Sequence, residues 1–465
     1  MYRKFKEKYI GDAAFYKKVL MIVVPMIIQN LVTNFVSLLD NIMVGQVGTE
    51  QMSGVAIVNQ LMFVYYIAIF GAVSGAGIFG TQFYGKGDYK GQRHAFRFKM
   101  YACIVFALVT IVLFITAGTP LISLYLNDTG GVGDIQKALE FGQGYLRIMI
   151  IGIIPFAIGQ AYISTVRETG ETFVPMLASI AAVFINLVLD YMLIFGKFGA
   201  PELGVEGAAA ATVVARFVEL MIVVIWTHVN SDRNQFIIGA YKSFEIPADI
   251  LFAIIKKGTP LMVNEFLWAA GMATISQCYA VRGLDVVAAQ NISSTIANLF
   301  NTVYIQMGGS IAVIVGQHLG AGRIKEAKEE DTKMIFFSVS TCVVMAVIMI
   351  CFGGLFPEIY NTQEDIKVLA NSFIVISALV MPVCCFSHCS YFTIRSGGKT
   401  MVTFLFDSVY TWVLVIPVAT ILAKYTALPM VTVFFLVQFM EIFKATIGLF
   451  MVKSGIWLQN ITCQG

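Results

Sequence analysis

Residues 100–126, MYACIVFALVTIVLFITAGTPLISLYL, contain no charged side chain. A helix rises about 1.5 Å per residue, so about twenty such residues cross the ~30 Å hydrocarbon layer of a bilayer. The stretch is much longer than a barrel strand, and its polarity does not alternate. It therefore reads as a membrane helix, and it has company. Comparable apolar runs fall at 18–43, 52–80, 99–126, 139–165, 173–195, 205–228, 257–281, 286–316, 333–356, 368–394, 401–423 and 428–452. The expected fold is an all-α polytopic membrane protein with twelve transmembrane helices.

The composition agrees. Of 465 residues, 58% are hydrophobic and only 13% charged, about half the charged share of a soluble domain. This excludes a soluble globular protein, a disordered chain and a nucleic-acid binder. The net charge of +3 carries no global message, but the placement of the charges does. If the N-terminus is cytoplasmic, 23 Lys and Arg face the cytoplasm and 6 face the other side, with Arg216 and Lys444 inside spans. That bias predicts a multi-pass protein of the plasma (inner) membrane with both termini cytoplasmic. The basic, amphipathic segment from Met1 to Lys18 precedes a run too long for a signal peptide, and reads as a retained tail. The 8 Cys include no CxxC pair, so no disulfide framework is legible. Cys384, Cys385, His388 and Cys389 cluster without the spacing of any metal site, and no metal is expected.

The second half repeats the first. An offset of 235 carries Pro25, Gln82, Gly85 and Gly87 onto Pro260, Gln317, Gly320 and Gly322. An offset of 228 carries Thr165-Val166-Arg167, Gly170 and Thr172 onto Thr393-Ile394-Arg395, Gly398 and Thr400. An offset of 222 carries Phe217-Val218-Glu219 onto Phe439-Met440-Glu441. Six spans per repeat is an even number, so the repeats run parallel and are related by an axis along the membrane normal. The expected organisation is a cytoplasmic tail (1–17), an N-lobe of spans 1–6 (18–228), a cytoplasmic linker (229–256), a C-lobe of spans 7–12 (257–452) and a second tail (453–465). Two parallel six-helix lobes around a central cavity suit alternating access.

An acid inside a span costs about 2.5–3.5 kcal/mol on insertion scales, so each needs a reason. Asp40 ends a stripe of Asn30, Thr33, Asn34, Ser37 and Asn41 on one face of span 1. Asn30, Asn34 and Ser37 are candidate cavity-lining residues. Asp190 lies one turn beyond Asn186 on span 5. Two carboxylates and an amide at similar depth can bind Na⁺, or can hold a shared proton because adjacent anions repel. Glu265 occupies the repeat position of Asn30, and Asn291, Ser294, Asn298 and Asn301 share a face of span 8. Glu265, Asn291, Asn298 and Asn301 are candidates for a second polar pocket; interhelical hydrogen bonding explains such a stripe equally well. Glu219 with Arg216, and Glu441 with Lys444, read as structural pairs three residues apart. Asp407, six residues into span 11, reads as a group at the membrane border.

Two motifs mislead. Gly75-Ala76-Gly77-Ile78-Phe79-Gly80 fits a nucleotide-binding pattern but lies inside a span, where small residues serve close packing. Gly85-Lys86-Gly87-Asp88 resembles an intramembrane protease signature but sits in a basic loop with Lys90, Arg93, Arg97 and Lys99. Its glycines recur at Gly320 and Gly322, which predicts a tight turn after spans 2 and 8. Only His388 of four His lies well inside a span, and no nucleophile–base set is legible, so no enzyme is expected. Without a Walker P-loop, neither ATP-driven pumping by this chain nor an ATPase partner is expected.

These residues together resemble the MATE family (multidrug and toxic compound extrusion), within the exporters of drugs, lipid-linked oligosaccharides and polysaccharides. The likeness covers about 17–453. It rests on Pro25, Asp40, Gln82-x-x-Gly85-x-Gly87, Arg167-x-x-Gly170-x-Thr172, Asn186-x-x-x-Asp190, Gly207-Ala-Ala-Ala-Ala-Thr212, Glu265, Gln317-x-x-Gly320-Ala-Gly322 and Arg395-x-x-Gly398. The resemblance implies an antiporter that exports cationic, amphipathic organic compounds in exchange for H⁺ or Na⁺, with no cofactor. It implies coupling at Asp40, Asn186 and Asp190, with Thr212 joining by motif position. Another branch uses carboxylates on spans 7 and 10. Glu265 fits the first, but span 10 has no acid after Asp365. A flippase for lipid-linked oligosaccharides is the alternative within the same group.

Overall fold

The computed structural model describes residues 2–126 and 134–463. Met1, residues 127–133 and the last two residues of the expected C-terminal tail lie outside the described residues. Among the described residues there is no strand. A short α1 (Tyr2–Tyr9) precedes α2 (Ala13–Val47), α3 (Thr49–Lys86), α4 (Tyr89–Ser123), α5 (Ile135–Glu168), α6 (Phe173–Phe195) and α7 (Val205–Val229). The second half runs through α8 (Ala248–Ala280), α9 (Leu284–Gly320), α10 (Ile324–Gly353), α11 (Glu364–Ser396), α12 (Thr400–Phe404), α13 (Ile416–Tyr425) and α14 (Met430–Ser454). Between α12 and α13 the chain stays helical through two wide π-type stretches, Leu405–Val409 and Thr411–Val415. The whole of Thr400–Tyr425 thus forms one span.

Eleven of the helices described are long and apolar enough to cross a membrane. The expected seventh span, within α8, has the length at 33 residues but not the same apolarity. Lys256, Lys257, Asn264 and Glu265 interrupt it, and polar groups on a span imply polar surroundings. Several helices outrun their apolar windows. α4 starts at Tyr89 and includes Arg93, Arg97 and Lys99, residues expected in a loop. Apolarity reports only the buried length of a helix, whereas its hydrogen bonding continues until a cap or breaker stops it. Asp134 supplies such a stop at α5, its Oδ1 accepting from the amides of Gln136 (3.0 Å) and Lys137 (3.3 Å).

The chain packs as two compact units. One comprises Ile28–Gly80 and Tyr89–Ile254; the other comprises Met1–Ile27, Thr81–Asp88 and Ile255–Gly465. We call them the first-half and second-half units. The N-terminal part of α2 and the last turns of α3 belong to the second-half unit. A core of the first-half unit gathers Val58, Ile69, Cys103, Ile153 and Ala209. A core of the second-half unit gathers Val19, Ile311, Cys342, Ala378 and Cys385.

The expected tight turns are present: Gly87 and Gly322 have φ of 76° and 73°, left-handed values that favour glycine. The motif also has a second purpose. A Cβ on Gly85 would strike the carbonyl of Gln317, and one on Gly320 would strike the carbonyl of Gln82. The two helix ends therefore meet backbone to backbone. The Gln82 side chain is fully buried. It donates to Ser396 O at 2.8 Å and accepts from the amide of Ile461 at 2.8 Å.

The connector after α7 is held by α4. Arg97 donates to the carbonyls of Gly239 (2.9 Å), Ala240 (2.8 Å) and Glu245 (2.9 Å). Arg93 donates to Phe236 O at 3.2 Å. This segment is packed chain within the first-half unit.

Candidate functional site

In the first-half unit, α6 presents Asn186 and Asp190 on one face, as their spacing of four requires. Both are buried, Asp190 with only 1% of its surface exposed. Asp40 on α2 is half-buried. Asp40 and Asp190 face one another within interaction range, with Asn186 beside Asp190 and the charge of Arg216 reaching Asp40. However, both oxygens of Asp190, Oδ1 of Asp40 and Nδ2 of Asn186 make no well-formed hydrogen bond to any described residue. Buried carboxyl oxygens without partners are rare and call for an explanation.

The other sequence-expected residues are more dispersed. Thr212 on α7 is half-buried and lines a small cavity with Tyr66, Phe156 and Arg216, without hydrogen-bonding to either acid. On α2, Asn30 is half-buried while Asn34 and Ser37 are exposed. In the second-half unit, Glu265 is half-buried and approaches Arg395 at 4.0 Å. Asn291 and Asn298 on α9 are exposed and Asn301 is half-buried; none of the three hydrogen-bonds to Glu265.

Sequence reasoning found one pair in each of two internal polar clusters, Glu441 with Lys444 and Glu219 with Arg216, and missed the other members. In the second-half unit, Lys444 on α14 donates to Asp407 Oδ1 at 2.8 Å. Asn264 on α8 donates to Asp407 Oδ2 at 3.0 Å, and Ser408 donates to Asn264 Oδ1 at 2.7 Å. Glu441 lies 4.0 Å from Lys444. Asp407 is thus a half-buried partner of Lys444, not the border group expected from its place in the run. A border acid would be wet, whereas the wide turn Leu405–Val409 carries this one to an ammonium and an amide.

In the first-half unit, Gln29 donates to Ser179 Oγ, Ser179 donates to Glu219 Oε1, and Arg167 donates to Gln29 Oε1. Carried along the helices, the repeat offsets place Gln29 on Asn264, Ser179 on Asp407 and Glu219 on Glu441. The signal was therefore available: equivalent positions are polar in both repeats. Another buried pair, Lys99 with Glu168, also involves Thr165, which accepts from Lys99 at 3.0 Å. A Cβ on Gly77 would come within 3.0 Å of Glu168, and one on Gly80 would collide with it. That contact accounts for Gly77 and Gly80 of the misleading motif. Among the described residues, no group of three His, Cys, Asp or Glu is arranged to hold a metal.

The fold and these sites define a multi-pass, all-helical membrane protein whose two repeats each bury a polar cluster. Residues 25–192 and 260–421 match the MatE family, and the chain belongs to it. It is 25% identical over 443 residues, covering 95% of this chain and 93% of the other, to a probable multidrug resistance protein NorM of Thermotoga maritima. Its fold is similar to that of a multidrug resistance MATE transporter of the MOP superfamily in an outward-facing conformation. The TM-score is 0.84 at 18% identity, over 96% of both chains. A MOP superfamily transporter from Pyrococcus furiosus, whose binding pocket is described as reversed in polarity, gives 0.82 at 18% identity over 97% of both.

Proposed function

We propose that the chain is a secondary antiporter of the plasma (inner) membrane, not an enzyme. It exports cationic, amphipathic organic compounds in exchange for H⁺ or Na⁺, and both termini are cytoplasmic. The relatives named as multidrug resistance proteins support the substrate class. The observation that supports the coupling is the Asp40–Asp190 pair, whose members face one another with Asn186 alongside while its buried oxygens make no well-formed hydrogen bond. A small cation fits that chemistry: Na⁺ takes carboxylate and amide oxygens, and a proton relieves the repulsion of two adjacent anions.

In this reading the ion enters from outside and neutralises the pair, and the drug-binding state loses affinity. Linkage makes the effect mutual, because whatever factor the ion imposes on the drug, the drug imposes on the ion. A potential of 100 mV adds about 2.3 kcal/mol per charge moved, enough to bias the exchange. Asn186 completes the ion site and Thr212 belongs to its surroundings. The paired repeats give alternating access to the two sides of the membrane during transport. No cofactor and no ATPase subunit enter the cycle.

The test is ethidium transport in proteoliposomes, with pH and Na⁺ gradients imposed separately. One gradient drives extrusion in wild type, and Asp40→Asn and Asp190→Asn each abolish the drive. Unchanged gradient-driven extrusion in both variants removes the assignment.

A further inference from the structure

The cluster around Asp407 in the second-half unit sets one internal cation, the Lys444 ammonium, against two acids. Its acceptors come from different helices: Asp407 lies in the wide stretch before α13, and Glu441 is on α14. Asn264 on α8, itself held by Ser408, fixes the orientation of Asp407. The side chains of Asp407 and Lys444 are only 14% and 13% exposed. The ammonium sits 2.8 Å from the Asp407 carboxyl and 4.0 Å from that of Glu441. The backbone itself is specialised here. Asp407 falls within a π-type stretch, a local widening frequent at functional positions.

The repeat shows what is particular to this half. Under the 222 offset Lys444 falls on Ile222, and under the 228 offset Asp407 falls on Ser179. The first-half cluster therefore holds neither the extra acid nor the tethered ammonium. Asp407 and Lys444 stand together in one repeat, and the positions equivalent to both are uncharged in the other, where Glu219 is met instead by Arg216 of its own helix at 3.5 Å.

We propose that Lys444 is an internal counter-ion that occupies a monovalent-cation site formed by Asp407 and Glu441 and so closes it to Na⁺. The site is built for a single positive charge with hydrogen-bond donors or open coordination. Freed of the lysine, it takes Na⁺ or a small primary alkylammonium ion. Lys444 is then a specificity-determining residue, which leaves this half of the transporter without an exchangeable ion. This goes beyond the coupling assigned to Asp40 and Asp190 and does not depend on it.

The experiment measures ²²Na⁺ binding and sodium-dependent thermal stability of the full-length chain in nanodiscs, with choline as the control cation. Wild type and Asp407→Asn/Lys444→Met are expected to bind the same amount of Na⁺. Lys444→Ala is expected to bind one more ion per chain, and its melting temperature rises with NaCl or n-propylammonium but not with choline. Adding Asp407→Asn to Lys444→Ala removes the extra ion. No gain in bound Na⁺ in folded Lys444→Ala overturns the proposal. If Lys444→Ala does not fold, the double variant decides: bound Na⁺ below wild type means Asp407 already holds sodium, which overturns the proposal, and equality upholds the closed site. Loss of transport in Asp190→Asn, or its absence, leaves these outcomes untouched, so the two assignments fail separately.

Discussion

The two halves descend through one sequence pattern yet bury their acids in opposite ways. Asp407 in the second half has both oxygens engaged, one by Lys444 and the other by Asn264. Asp190 in the first half has neither oxygen in a protein hydrogen bond. Under the same offsets, Asp40 falls on Ile275, Asn186 on Leu414, Asp190 on Val418 and Thr212 on Phe434. Ile275 and Phe434 pack in an apolar core. The position that is acidic in one repeat is hydrocarbon in the other. An engaged carboxylate holds helices together, whereas an open one is available to an ion. The duplication supplies one scaffold, and departures from symmetry decide which acid is engaged by the protein and which stays open.

The largest expected effect breaks the engaged side. Lys444→Ala leaves Asp407 buried with one oxygen stripped of its counter-charge, and should cost about 3–5 kcal/mol of stability. Asp407→Asn/Lys444→Met removes both charges and should recover most of that, as replacing a buried pair by neutral groups often does. Thermal melts of the purified variants check the order. If both variants melt alike and well below wild type, shape rather than charge pairing holds this cluster.

The open side should respond with the opposite sign. Asp190→Asn replaces a buried carboxyl that faces Asp40 and makes no well-formed protein hydrogen bond, so stability should hold or rise by about 1 kcal/mol. Gradient-driven dye extrusion should meanwhile fall by about 100-fold, equivalent to about 2.7 kcal/mol. Measuring both quantities on the same preparation sharpens the contrast. A destabilised Asp190→Asn that still transports would make the acid structural, and the two halves would then be alike.

The fold was largely legible because the signals are redundant: apolar runs, the Lys and Arg bias and the repeat all point to the same helices. The site was legible where chemistry is costly. Asp40, Asn186 and Asp190 stood out because charge and amide in an apolar run need an explanation. What escaped was pairing across helices. Asp407 looked peripheral because its distance along the span says nothing of where a widened helix turns it. Gln29 and Ser179 looked ordinary because uncharged polar residues are common in spans. Lys99 looked like loop charge because helices continue past their apolar windows, and its partner Glu168 lies 69 positions away. Gly80→Ala probes that hidden pair. The new methyl group meets the Glu168 carboxyl and should cost about 1–3 kcal/mol by displacing it. A melting temperature equal to wild type would mean Glu168 moves freely.

The smallest expected effect concerns the other base inside the spans. Arg216 and Lys444 each stand three residues from a glutamate, but on opposite sides: Arg216 precedes Glu219 and Lys444 follows Glu441. The order decides what each can reach. Lys444 reaches an acid beyond its own helix, while Arg216 stays 3.5 Å from Glu219 and lies over the Phe156 ring at 4.8 Å. Its side chain is 31% exposed against 13% for Lys444, and its ion pair is the longer one, so the pair is the weaker of the two. Arg216→Gln should therefore cost only about 0.5–1 kcal/mol of stability, chiefly the lost ring contact. Because the charge of Arg216 reaches Asp40, the same change should raise affinity for the coupling cation a few-fold, measured as a lower ion concentration for half-maximal extrusion. A loss as large as that of Lys444→Ala would make Arg216 an internal counter-ion as well, and the distinction between the halves would have to be drawn elsewhere.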